Sequence, residues 1–196
     1  MLDYVALVAS MMGEAPTGRL HHADWRDLEA VLGTELPEDF KEIVAAYAPI
    51  QLNGHLFLSH PNTQLFNLAK EVDRGIEAFK RINWQEGEAR FRGEVPSFGG
   101  LGGLIPVAGT DRGEAVFLIK VEGATKFWHV VGFSDDGDHF YEYEMSFAEW
   151  LYRYLVGEDM IGPGSGVFYP GPLIIEDLPR SPGDRVVERR GPDRAM

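Results

Sequence analysis

The chain has 196 residues, no cysteine, and 31 Asp and Glu against 18 Lys and Arg, for a net charge of −13. One domain is the simplest reading at this length, large enough to bury roughly 70% of its unfolded surface. Without a thiol there is no disulfide, no thiolate zinc site and no cysteine nucleophile. Five of the basic and four of the acidic residues fall in 177–196, which leaves residues 1–176 with 13 basic and 27 acidic groups, a net of −14. Such a body repels nucleic acid, whose phosphates need clustered Lys and Arg, and suits a basic protein partner through electrostatic steering.

The N-terminal stretch MLDYVALVASMMGEAP has an early Asp3 and only a short apolar run, so it does not read as a secretory signal. No stretch approaches the roughly 18 apolar residues of a membrane span, and the cytoplasm is the expected location. Leu2, Val5, Val8 and Met12 keep helical spacing up to Gly13. Asp24 is placed to cap a second short helix with Trp25, Leu28, Val31 and Leu32 inward and Gly33 at its end. In ELPEDFKEIVAAYAP, Pro37 suits a first helical position, and Glu38 and Asp39 suit the positive end of the helix dipole. Phe40, Ile43, Val44 and Tyr47 fall on one face, and Pro49 ends the run.

GHLFLSHP reads as a short strand ending at Pro61, and Leu65, Leu68, Val72, Ile76 and Phe79 mark a longer helix. The period then becomes extended, with strands expected near 114–121, 126–133 and 139–144. Their connections, EGAT and SDDGD, are hairpin-like in length and composition. In SFAEWLYRYLVG, Ser146 and Glu149 form a capping box and Gly157 closes the helix. IGPGSGVFYPGPL has little periodicity, and residues 177–196 read as a flexible Arg/Pro/Gly-rich tail after a domain spanning 1–176.

Trp25 and Leu28, then LGTELPEDFKEIVAAYAP, GHLFLSHP, LIPVAGTDRGEAVFLI, FWHVVGF and YEYEMSFAEWLYRYLVGE, in that order, resemble the SUKH superfamily of bacterial toxin-immunity proteins and fungal regulators of cell-wall synthesis. The resemblance covers roughly residues 20–170, and its firmest piece is the Leu-Pro-x-Asp-Phe-Lys helix followed by Tyr47. Phe117 and Leu118 stand where members often have Trp, Ala48-Pro49 replaces a frequent glycine, and the Arg-rich tail is extra. The resemblance implies an α+β fold, with helices packed on one curved, mainly antiparallel sheet. It also implies a protein-binding module without catalysis.

The glycines of SFGGLGGL do not make a phosphate loop. A Walker loop needs Lys then Ser or Thr after its last glycine, and the dinucleotide fingerprint needs a strand before the glycines and a helix after them, whereas a strand follows here. The run reads as a loop whose backbone turns sharply. His21, His22 and Asp24 could start a metal site, but neighbouring ligands with no further group at clear spacing do not define one, and a surface pair beside a helix cap is the better reading. GPGSGV does not fit the nucleophile-elbow pattern, because Pro163 stands two before Ser165, and it reads as loop. No cofactor or metal is expected.

Glu142 and Glu144 share one strand face about 7 Å apart, a spacing used by catalytic carboxylate pairs. Alternating with Tyr141, Tyr143 and Met145, they are more simply the wet side of a half-buried strand. The expected partner-binding surface comprises Asp135, Asp136 and Asp138 in one turn, Glu142 and Glu144 on the strand leaving it, and Trp84 as a candidate exposed aromatic. The partner expected on such a surface is a protein, either a toxin domain such as a basic nuclease or a non-toxin partner of a regulatory or scaffolding protein.

Overall fold

A computed structural model describes residues 2–16, 23–87, 89–121, 128–134, 139–166 and 171–194. The helices are α1 (Tyr4–Met12), α2 (Arg26–Leu32), α3 (Glu38–Tyr47), α4 (Leu68–Arg81) and α5 (Phe147–Val156). The strands are β1 (Ile50–Leu52), β2 (Leu56–Leu58), β3 (Ile105–Thr110), β4 (Ala115–Lys120), β5 (Trp128–Ser134), β6 (His139–Tyr143), β7 (Gly171–Asp177) and β8 (Val187–Arg194). They form one sheet in the order β6-β5-β4-β3-β2-β1-β7-β8, antiparallel at every step. The architecture is the expected α+β one.

Local chemistry starts and stops these elements. Asp3 accepts the Ala6 N–H at 3.1 Å to cap α1, and Asn67 accepts that of Lys70 at 3.1 Å to cap α4. Ser146 Oγ accepts the Glu149 N–H at 3.2 Å, the expected cap of α5, and Gly157 closes that helix at φ 100°. In the glycine-rich loop Gly99, Gly100 and Gly102 all take positive φ. Gly99 N–H donates to Leu104 O at 2.9 Å and Leu104 N–H to Ser97 O at 2.8 Å, so the loop is a tight entry into β3.

Strand alternation divides the core. Val116 and Leu118 of β4 face one side of the sheet, while Ala115, Phe117 and Ile119 face the other. On the first side pack α1, α3 and α5, with Phe40, Ile43, Val44 and Tyr47 buried as their spacing predicts. The Phe40 ring meets Trp25 and Phe147 edge-on, with centroids 5.9 and 4.9 Å away. Trp150 is fully buried, and its indole N–H donates to Met160 O at 2.8 Å. On the second side lies α4, which reaches the sheet closely because Gly75 lacks a side chain; a Cβ there would lie 2.8 Å from Pro106 Cγ.

Four details depart from the sequence reading. Val31 is 83% exposed, because α2 buries only the stripe of Leu28 and Leu32. Asp24 does not occupy the cap position, which falls on Trp25, although its carboxylate accepts the Arg26 N–H at 3.1 Å. GHLFLSHP forms the strand expected of it, β2, but pairs with a strand not read from the sequence, β1, across a turn at Asn53 and Gly54, both at positive φ. Residues 187–194, read as tail, form β8 on the sheet edge, and the boundary expected at 176/177 falls inside β7. Arg189 anchors β8 by donating to Asp177 at 3.0 and 3.2 Å and to Met12 O at 2.9 Å.

Candidate functional site

Glu142 lies on the edge strand β6 and points to the second face of the sheet, where β5 and the turn at 91–94 converge on it. Its Oε2 accepts the Arg92 Nε–H at 2.9 Å, and its Oε1 takes a second, shorter hydrogen bond from Arg92 Nη2. Oε1 is also 2.6 Å from Nδ1 of the buried His129. Arg92 occupies left-handed backbone at φ 53° and carries its guanidinium 5.2 Å from the centroid of the Phe91 ring. The hydrogen bond from Arg92 holds the Glu142 carboxyl below its ordinary range, with partial burial opposing and His129 assisting. The same bond raises the guanidinium in turn. A carboxylate kept ionised this way is unsuited to act as a general acid.

Glu144 follows β6 and is exposed, forming no ion pair with a described residue, though its charge helps raise Arg92. The two glutamates are thus adjacent but unlike: one is locked in a network and the other is open to solvent. Tyr143 between them faces the first side of the sheet, and burial pushes its hydroxyl up to about 12.

Trp84 is not an exposed contact. It is 6% exposed and packs among Phe79, Phe98, Phe133 and Phe140, while its indole N–H donates to Phe79 O at 2.7 Å. The chain turns back directly after α4, and that turn folds the ring under the segment 89–104 instead of leaving it at the helix end. Asp135, Asp136 and Asp138 lie outside the described residues, as do His21 and His22. Ser165 is buried and closes its own turn, accepting the Ile161 N–H at 3.0 Å and donating to Gly162 O at 2.8 Å. No three His, Asp or Glu side chains are grouped as a metal centre would require among the described residues.

Sequence reasoning missed the partners of Glu142 and a second histidine–carboxylate cluster. His55 is buried with Nδ1 2.6 Å from Asp111 Oδ1 and Nε2 3.0 Å from Glu114 Oε2, while Thr110 Oγ1 donates to that same glutamate oxygen at 2.9 Å. This cluster ties the β1–β2 turn to the β3–β4 turn. The spacing of Asp111 and Glu114 in a hairpin turn hinted at a shared polar site, but nothing local named His55.

Among the described residues, five helices on one antiparallel sheet, with prominent carboxylates bound into ion pairs and caps, define an α+β module with a structural use for much of its buried charge. The family SUKH_6, described as SMI1-KNR4 cell-wall, matches residues 22–151, and the chain belongs to it. No curated protein and no solved structure matches the chain. Membership is consistent with an immunity or regulatory module. No helix among the described residues is long and apolar enough to cross a membrane.

Proposed function

We propose that the chain is a non-catalytic, cytoplasmic immunity protein that binds and neutralises a cognate bacterial toxin, a nuclease being a fitting target. The observation that carries this reading is the family match over residues 22–151. The acidic body supports it, since a net charge of −13 attracts the cationic substrate-binding surface of a nuclease and speeds encounter. Exposed Glu144 and the connection holding Asp135, Asp136 and Asp138 supply the attracting charge in this reading, and Glu142 on β6 is held in place by Arg92. Inhibition is then steric and electrostatic, with the module covering the toxin's active site. A regulatory or scaffolding role is the second reading, favoured by the cell-wall description of the family.

Affinity capture from native lysate with mass spectrometry separates the two. A large secreted protein with a C-terminal toxin domain selects immunity, and a housekeeping complex selects regulation. With the captured partner, replacing Asp135 and Asp136 by Lys is expected to slow association about tenfold or more, with dissociation changing less. An unchanged association rate moves the interface off this edge.

A further inference from the structure

A groove of about 820 Å³ opens on the first face of the sheet, where the N-terminal ends of α1, α3 and α5 converge. Strand alternation separates it from Glu142. Trp128 and His129 are consecutive in β5, so His129 turns to Glu142 while Trp128 turns to the opposite face and forms a wall of the groove. Tyr4, Leu36 and Leu2 complete an apolar lining, and Leu2 is 67% exposed. A second depression of about 540 Å³ shares Glu35 and Lys120 with the first and runs to Leu101 of the glycine-rich loop, which is 74% exposed. Leu2 and Leu101, large apolar side chains left open in two neighbouring depressions, mark a contact surface.

Charge decides what fits there. Among the described residues Asp3, Glu35, Glu38, Asp39 and Glu149 line the main groove against one cation, Lys120. Glu38 and Glu149 already face Lys41 and Arg153. Asp3 and Asp39 accept backbone N–H groups, the latter from Ala148 at 2.7 Å, and neither of them nor Glu35 forms an ion pair with a described residue. Lys120 shows how a cation lodges here: its Nζ lies 5.9 Å from the centroid of the Trp128 ring and 3.2 Å from Thr34 Oγ1. An acidic segment would be repelled, and a purely apolar one would strip water from carboxylates without replacing it.

We infer that this groove docks a basic segment of a protein partner. An arginine or lysine stem lies along Leu36 and Trp128 with its head among Asp3, Glu35 and Asp39, and a neighbouring apolar residue covers Leu101. The inference shares with the proposed function only the premise that the partner is a protein, and it adds a contact on the other face of the sheet.

The test is a titration of the full-length, ¹⁵N-labelled chain with the acetylated and amidated peptide Arg-Leu-Arg-Arg-Leu-Arg, and with its counterpart carrying Glu in place of Arg. Shifts are expected at the Trp128 indole N–H and at the amides of 35–39 and 146–149, with the acidic peptide binding at least about tenfold more weakly. Replacing the exposed Glu35 and Glu38 by Lys together is expected to weaken the basic peptide about tenfold, while the spectrum outside the groove keeps its positions and so reports an intact fold. Shifts centred on Glu142, equal binding of the two peptides, or unchanged affinity in the double variant would overturn the inference. Peptide binding in the groove alongside a partner indifferent to Asp135→Lys and Asp136→Lys supports the groove and defeats the β6 interface. The reverse pattern defeats the groove alone.

Discussion

The two faces of the sheet are built from the same strands but covered by different means. Helices, with α1, α3 and α5 chief among them, cover the first, and their ladders satisfy their own backbone groups, so aliphatic and aromatic side chains mix freely beneath them. The second is covered by α4 and by the irregular chain at 84–87 and 89–104, and its core is rich in rings: Phe79, Trp84, Phe91, Phe98, Phe117, Phe133 and Phe140. An irregular cover has to find hydrogen-bond partners elsewhere. Here the Arg90 guanidinium donates to Trp84 O, Gly87 O and Ala89 O at 3.2, 2.8 and 2.7 Å. Large flat side chains fill the space that a loop cannot pack as tightly as a helix does.

The contrast is broken or sharpened first by truncating one ring on each face. Phe40→Ala is expected to cost about 3 to 5 kcal/mol, because the ring is wedged between Trp25 and Phe147 under helices that cannot collapse. Trp84→Ala should fall at the lower end, about 3 kcal/mol, since a loop can close over part of the gap. Urea midpoints of the two variants decide it, and equal losses would show the loop to be as rigid as the helical layer.

Next in size is the approach of α4. Gly75→Ala gains about 1 kcal/mol of helix propensity, yet its Cβ meets Pro106 at 2.8 Å, and such overpacking costs about 1 to 3 kcal/mol. A net loss of about 1 kcal/mol is expected. A thermal melt showing a gain would mean that α4 can lift off the sheet at no cost, making the second face still looser than it looks.

The smallest expected effect is at Glu142 and depends on pH. Its carboxyl is held below the ordinary 4.5, chiefly by Arg92. The stabilisation is therefore present above 4.5 and lost as pH falls through the lower folded-state value. Glu142→Gln should cost about 1 kcal/mol at neutral pH, discounted for partial exposure, and the gap to the parent should close in acid. A gap that persists unchanged at low pH would assign the loss to packing rather than to charge.

Local periodicity made much of the fold legible. The α3 stripe, the Ser146–Glu149 cap and strands β4 to β6 come from residues within a few positions of one another. By contrast β1 has three residues, too few to display alternation, and β8 is a polar edge strand whose side chains need no apolar face. At the candidate site the strand position of Glu142 was legible. Its partners were not, because Arg92 stands 50 residues away in sequence and His129 stands 13 away.

By itself the sequence determined the class: an acidic, thiol-free α+β chain resembling its family, since periodicity, capping and net charge are properties of neighbouring residues or of the whole composition. Only the tertiary structure decided which of these groups face solvent. Folding buried Trp84, locked Glu142 between Arg92 and His129, and brought three helix N-termini together around Trp128. Each of those outcomes depends on which strand pairs with which and on the face a side chain takes, a choice made by packing across long stretches of chain.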